Sequence, residues 1–304
     1  MTIHDGFPSA EGNNERQLNE IKNTIEGIKN IVGVDFVEAS ELRDQSVLPE
    51  GYENTPEKEL EIRGLASNLG IGRSEDLGLS EAGFPEDSLV IVEGGQGHKM
   101  LAELKLSLEY GSGPIIISAS RHREVKSEKE IDTTSVVLGI EKDYVGSTEY
   151  EVASQIARLA GLVDFDGTET EVSAIPHGLR GKPNDGEEQG SVIKIGTING
   201  RDVCMYDVPR EYYDDDGQAK YRQPSPSEQV ENMAKIDGVS SVVLATSSTY
   251  MISRLASIVS AGNNSGVIAY GAHSLARAKK EAKPTEPSLE QILAEVSRAE
   301  KLIK

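Results

Sequence analysis

A chain of 304 residues with 51 aspartates and glutamates against 31 lysines and arginines carries a formal charge of −20. That length supports a substantial buried core, and a field so negative excludes DNA, RNA and anionic lipid as expected partners. A single cysteine, Cys204, excludes an intrachain disulfide and zinc-knuckle spacing; with no apolar run near the roughly 18 residues of a membrane span and no signal segment in residues 1–14, the expectation is a cytoplasmic protein without membrane insertion.

In chain order, Leu18, Ile21, Ile25 and Ile28 recur at helical spacing and predict an amphipathic helix over residues 14–31. Residues 35–37 read as a short strand, and 38–54 as irregular. Thr55-Pro56-Glu57-Lys58 is a helix start, with threonine as cap and proline in the first turn, for a helix reaching about residue 69. Glycines at 70, 72, 78 and 83 mark the approach to the β-branched run Leu89–Val92, a buried strand. Glu93-Gly94-Gly95-Gln96-Gly97 follows, and then Met100, Leu101, Leu104 and Leu108 at helical spacing. Residues 114–117 are a second strand ending in Ser118-Ala119-Ser120-Arg121-His122, and 135–140 read as a third. Thr148 and Glu151 have capping-box spacing ahead of Val152, Ile156 and Leu159.

Residues 164–189 are rich in Gly, Asp, Glu and Thr and read as an exposed excursion. Asn199-Gly200 between two β-type runs predicts a hairpin, because both turn positions need positive φ; it reads as an antiparallel insertion or edge of the main sheet. Cys204, inside that hairpin, reads as a buried structural thiol. Residues 212–221 read as a solvated loop. Ser225-Pro226-Ser227-Glu228 starts a helix, 241–245 a strand, and Thr246-Ser247-Ser248-Thr249 leads to a helix with Met251, Leu255, Ile258 and Val259 inward. Residues 266–270 read as the last strand, followed by a helix over 274–282. Ser288 and Gln291 cap a final helix marked by Leu289, Ile292, Val296 and Leu302, which docks on its own domain or on a second copy.

Three strand ends share one chemistry: Glu93 to His98, Ser118 to His122, and Thr246 to Thr249 place small or hydroxyl residues where a strand meets a turn. Parallel strands bring such ends to one edge, where small side chains let a ligand approach the backbone. A strand, a glycine turn and a helix in that order offer helix N-terminal N–H groups to a phosphate or carboxylate. Arg121 and Arg254 can neutralise such an anion, although Arg254 equally suits helix packing. His98 and His122 can act in acid–base chemistry or be solvated or structural, and His273 has the same standing. No histidine pair or carboxylate cluster imitates a metal site, and neither a Gly-Lys-Ser/Thr loop nor a full dinucleotide fingerprint is present. Ser118 and Ser120 lie outside any Gly-x-Ser-x-Gly elbow.

The glycine turn after a strand, the segment IIISAS, the Glu231-Asn232 pair in a helix start and the segment VVLATSSTYMISRL together resemble the YdcF-like family, which includes SanA and ElyC, over residues 87–270. The resemblance implies a Rossmann-like fold, with S-adenosylmethionine bound by some members and envelope biogenesis linked to others. It assigns Gly94 and Gly95 to the first turn, Ser118 to the second, Glu231 and Asn232 to the acidic-asparagine pair, and Thr246 and Ser247 to the last strand end. Ala119 and Ser120 depart from two expected glycines, Gln229 from threonine and Tyr250 from histidine, and Arg254 comes one residue late. Ser147-Thr148-Glu149 is a rival for the acidic segment.

The expected fold is therefore α/β: a Rossmann-like, mostly parallel sheet with helices on both faces, a β-hairpin insertion and terminal helical extensions. Residues 1–86 form the N-terminal extension, 87–283 the core with an insertion around 164–222, and 284–304 the C-terminal helix. The expected function is binding of a small nucleotide-type or anionic metabolite, S-adenosylmethionine or a nucleotide being the candidate cofactor. Gly94, Gly95 and Gly97 would hold the anion through N–H groups, Ser118, Ser120, Thr246 and Ser247 would hydrogen-bond it, and Glu93 or Glu231 would accept from a ribose or amine. One alternative is a group transferase with His98 or His122 as base. Another is a non-catalytic interaction protein, with the terminal helices carrying a partner or a homo-oligomer. All of this requires Gly95, Ser118 and Thr246 to converge on one rim.

Overall fold

The structure is a computed structural model that describes residues 10–34, 48–67, 86–121, 123–164, 169–173, 182–183, 189–207, 211–213, 219–221, 225–247, 251–274 and 287–303. Helices α1 (Ala10–Val32) and α2 (Pro56–Ser67) precede β1 (Leu89–Val92), α3 (Gly97–Tyr110), β2 (Ile115–Ser118), α4 (Glu128–Leu138) and α5 (Glu149–Leu159). Strands β3 (Glu169–Ser173), β4 (Lys182–Pro183), β5 (Gln189–Ile198), β6 (Arg201–Asp207), β7 (Glu211–Tyr213) and β8 (Ala219–Tyr221) follow. The described chain ends with α6 (Pro226–Met233), β9 (Ser241–Ser247), α7 (Met251–Ser265), β10 (Ile268–Ser274) and α8 (Leu289–Leu302).

Seven strands form one sheet in the order β10-β9-β1-β2-β6-β5-β3, while β4, β7 and β8 make a separate antiparallel piece. The first five strands in that order are parallel, and β5 and β3 join antiparallel at one side. β1 and β2 are buried throughout, as short β-branched strands inside a parallel sheet should be. Alternate residues enter different clusters. Val90 and Val92 lie with Met100 and Leu104 of α3 and Val152 and Ile156 of α5. Leu89 and Ile91 lie with Val230 and Met233 of α6 and Ile258 and Val259 of α7.

Several sequence expectations change. The excursion at 164–189 contains β3, β4 and the first residue of β5, and the loop at 212–221 contains residues of the paired strands β7 and β8. Backbone pairing rather than local composition set the structure there. Residues 135–140, expected as a strand, belong to the end of α4 and its turn: Gly139 closes that helix at φ +68°, with its N–H donating to the Ser135 carbonyl. A short apolar run does not distinguish a strand from a buried helical turn, and packing decided it. Thr134 lies against Gly97, where a Cβ would meet its side chain at 3.0 Å, so α4 seats directly on the start of α3. The third parallel strand is instead β6. The Asn199-Gly200 hairpin exists, with φ of +54° and +78°, but β6 pairs in parallel with β2 and only β5 and β3 are antiparallel. The hairpin's β5 does stand antiparallel toward one edge of the main sheet, as expected, while its β6 is one of the parallel strands. Burial pushes the Cys204 thiol on β6 up to about 11, with Asp202 adding to the effect, so it is no nucleophile near neutrality. Ser274, expected to open a helix over 274–282, ends β10 instead, and the rest of that helix, the short strand at 35–37 and the Tyr250 position lie outside the described residues.

The capping boxes at Thr148, Ser225 and Ser288 all form, each with its side chain accepting from the third helical N–H. α1, α2, α7 and α8 share a cluster built on Ile21, Ile25, Ile28, Ile62, Ile252, Leu289, Ile292, Leu293 and Val296. The inward faces of both terminal helices are thus used within the chain. Among the described residues no helix is long and apolar enough to cross a membrane.

β10 is a sheet edge, and α1 closes it with side-chain amides in place of a strand. Asn14 donates to the Val267 carbonyl at 2.8 Å and accepts from Ala269 N–H at 3.2 Å, and Gln17 donates to the Ala269 carbonyl at 3.0 Å. Ala269 thereby has its outward N–H and C=O satisfied as a neighbouring strand would satisfy them. Asn14→Leu is expected to lower stability by about 2–3 kcal/mol in urea unfolding, because it orphans two buried backbone groups. It should also produce concentration-dependent self-association in sedimentation through the opened edge. A variant as stable and as monodisperse as the parent would contradict this role.

Candidate functional site

The parallel register sets the strand ends level. Val92 pairs with Ile117 on one side and Ala245 on the other, and Ser118 pairs with Tyr206 while Thr246 pairs with His273. Glu93, Gly94, Ser118 and Thr246 therefore stand on one rim, at the carboxyl ends of the strands. Gly94 is pressed against β2: a Cβ there would lie 2.0 Å from the Ser118 carbonyl oxygen and 3.2 Å from Glu149 Oε1. Only glycine admits that approach. Gly95, by contrast, faces open space, with no atom within 4 Å of the position a Cβ would take.

On the other side Glu93 spans β1 to β9. Its backbone N–H donates to the Ala245 carbonyl at 3.1 Å, its Oε2 accepts from Thr246 Oγ1 at 2.5 Å, and its Oε1 pairs with Arg254 Nη2 at 2.8 Å. Arg254 comes from the first turn of α7, on the far side of the crevice from α3. Thr246 is completely buried, so its hydroxyl serves Glu93 rather than solvent.

At the start of α3, Gln96 caps with its backbone carbonyl, which accepts from Lys99 and Met100 N–H. Its side chain makes no capping bond. Among the described residues no acceptor meets the N–H groups of Gly97 and His98, the first of the helix, which carry its positive dipole end. Gly97 itself is a packing glycine, since its Cα face is filled by Thr134 and Val152. His98 Nδ1 is buried and has no partner among the described residues. Burial pushes the imidazole's pKa down, with Lys99 adding, so the ring is neutral at neutral pH.

The end of β2 is organised by a residue that was read only as part of a rival motif. Glu149, 1 % exposed at the start of α5, accepts from Ser120 N–H at 3.1 Å and pairs with Arg123 Nη1 at 2.5 Å. Its own N–H donates to the Arg123 carbonyl at 2.9 Å. Thr148 as a helix cap was the available signal, because an acid at the first helical position is favoured by the dipole. Arg121 is turned to the buried Asp207 at the end of β6: its N–H donates to Oδ1 at 3.1 Å, its Nε lies 3.4 Å from Oδ2, and its guanidinium sits 4.7 Å over the Tyr150 ring. Both candidate arginines thus face carboxylates of the chain itself. A bound anion must draw on backbone N–H groups first.

The remaining predicted residues fall differently. Ser118 and Ser120 are buried on the rim beside Gly94 and Glu149. Asn232 is buried on α6 and donates to Tyr206 Oη at 2.8 Å while accepting from Lys235 at 3.2 Å, which ties α6 to the sheet. Glu231, its neighbour, is half-buried on the same helix. Ser247 is the last residue of β9, in register with Ser274. His122 lies outside the described residues.

A further acid had no sequence signal beyond its place on the inward face of α3. Glu103 is 2 % exposed, and its Oε2 has no partner among the described residues. Burial pushes its pKa well above the usual carboxylate range, Glu93 pushes it further, and Lys99 and Arg254 oppose. Comparisons of the chain with protein-family models, with curated proteins and with solved structures give no match.

Proposed function

We propose that this chain binds a small nucleotide-type or otherwise anionic metabolite in the crevice between β1 and β9, on a Rossmann-like sheet with helices on both faces. The observation that carries the reading is a reversal of strand order. From β1 the chain proceeds to β2 and β6 on one side, then returns to β9 and β10 on the other. Ligands of open parallel sheets lodge outside the carboxyl ends at such a point. Support comes from the lining: the amides that open α3 suit the anionic group, and Gly95 leaves room for it. Glu93, anchored by Arg254 and Thr246, keeps lone pairs for a hydroxyl or amine of the ligand. The YdcF-like resemblance makes adenine nucleotides and S-adenosylmethionine the first compounds to test.

Group transfer in the same crevice is a second reading, favoured by His98: a neutral imidazole at the opening of α3 suits a general base. A partner-binding role for the terminal helices draws no support from apolar faces that are buried on α7.

A thermal-shift screen tests the binding reading. A ligand at about 100 times its Kd should add about 2.7 kcal/mol, or roughly 5 °C, to the wild type. Gly95→Asp, which aims a carboxylate into the open space, should lose that shift while its unliganded melting temperature is compared as the folding control. An equal shift in both chains would place the ligand elsewhere.

A further inference from the structure

α3 begins at the carboxyl edge of the sheet, where β1 ends, and runs back against β1, β9 and β10. Its buried residues are Gly97, Met100, Glu103, Leu104 and Ser107, so one acid stands in the stripe that faces the strands. Met100 and Leu104 share their cluster with Val92, Val243 and Ala245, with Tyr270 packed beside it, and the Tyr270 hydroxyl accepts from Asn13. Glu103 Oε2 meets no donor there. A helical side chain leans toward the N-terminus of its helix, over the preceding turn. The Glu103 carboxyl is therefore carried toward the strand ends. The charges that act on it agree: Glu93 at the end of β1, Lys99 one turn back on α3, and Arg254 from the first turn of α7. Glu93 and Arg254 are the pair that bridges the crevice, so Glu103 reaches it from the α3 side.

A buried acceptor without a donor costs the free chain stability, and a bound molecule can supply what is missing. The other acids of the site have no such need. Both oxygens of Glu93 are engaged, by Thr246 and Arg254, and Glu149 holds Ser120 N–H and Arg123. We infer that Glu103 is a ligand-binding residue, which receives a primary ammonium group of the molecule in the crevice. The inference rests on the binding reading above and names a second chemical group of the same ligand, an amine beside the anion. One N–H suits one orphan oxygen, whereas a guanidinium fork calls for two. Burial keeps the empty acid protonated to higher pH than an ordinary glutamate. A cation binds the ionised form, so filling the seat sends the Glu103 proton to solvent.

The test uses the full chain labelled with δ-¹³C glutamate, the Glu103 carboxyl resonance being assigned by its loss in Glu103→Gln. Methylammonium chloride is the probe. Tetramethylammonium chloride, with the charge but no N–H, is the control at equal ionic strength. At about twice its Kd, a cation that binds only the ionised acid weakens proton binding about threefold. The Glu103 titration midpoint should therefore fall by about half a pH unit in methylammonium relative to the control. A midpoint that is the same in both salts up to about 0.5 M overturns the ammonium seat. Aminoethyl phosphate, which carries both groups, should raise the melting temperature more than ethyl phosphate in the wild type and no more than ethyl phosphate in Glu103→Gln. An advantage that survives in Glu103→Gln places the amine elsewhere and overturns the role of Glu103. The anionic end is read separately, from the amides of residues 95–98 with inorganic phosphate. Amides that shift while Glu103 ignores methylammonium leave the binding reading standing without the amine. Silent amides beside a responsive Glu103 overturn the anion-binding reading and keep the ammonium seat.

Discussion

Replacing Gly94 with alanine is expected to lower the unfolding free energy by about 3 kcal/mol or more, at the upper end of what overpacking usually does. The added methyl would lie 2.0 Å from the Ser118 carbonyl oxygen, a contact with backbone rather than with the end of a flexible side chain. Ser118 cannot withdraw easily, since β2 is held between β1 and β6. Glu149 closes the other side at 3.2 Å and is itself fixed by Ser120 N–H and Arg123. The strand ends must part, and Glu93 must move with them. Gly64→Ala is the matched control. It lies within α2 with nothing near its Cβ position and should stabilise by about 0.5–1 kcal/mol. Urea midpoints at unchanged slope measure both. A Gly94→Ala chain with wild-type stability would mean that the ends of β1 and β2 do not meet.

Glu103→Gln is expected to stabilise the protein at neutral and higher pH. Burial favours the uncharged form of Glu103 in the folded chain, so the folded state holds its proton to higher pH than the unfolded state does. The favourable contribution of the neutral acid is complete below the usual carboxylate value. It is lost as pH rises from there through the raised folded value, and above that value the folded chain carries a buried charge whose Oε2 has no hydrogen bond. A glutamine of the same shape never ionises. The gap between variant and wild type should therefore be small near pH 4 and widen to about 1–3 kcal/mol at alkaline pH. Taking the difference cancels any trend with pH that the two chains have in common. A gap that stays constant with pH would remove the buried acid from the account.

The two effects share a location and differ in legibility. Gly94 was marked in the sequence by a β-branched run before it and a helical apolar period after it, a pattern with a local cause. Glu103 carries no such mark: an acid between Met100 and Leu104 reads as one more polar position until α3 is laid over β9 and β10. The same distinction separates Glu93 from Arg254. Each was a candidate by residue type, but their pairing joins positions 161 apart in the chain, and it turns a supposed anion-binding arginine toward a carboxylate. Residues 135–140 failed as a strand for a related reason. Their β-branched content is compatible with either state, and the Gly139 turn together with the seat of Thr134 on Gly97 selected the helix.

What the sequence by itself determined is whatever rests on near neighbours: three capping boxes, the Asn-Gly turn, the glycine turn after β1, and strands set apart by β-branched runs. These depend on φ preferences and on hydrogen bonds spanning three or four residues, which travel with the chain wherever it packs. Only the tertiary structure decided that β6 is the third parallel strand, that the order reverses between β1 and β9, that Glu149 and Asp207 take N–H groups and cations at the ends of β2 and β6, and that Glu295 joins α8 to α7 through Ser253. Those outcomes turn on which distant surfaces exclude water from one another. A carboxylate finds its partner only after that burial has brought the two together.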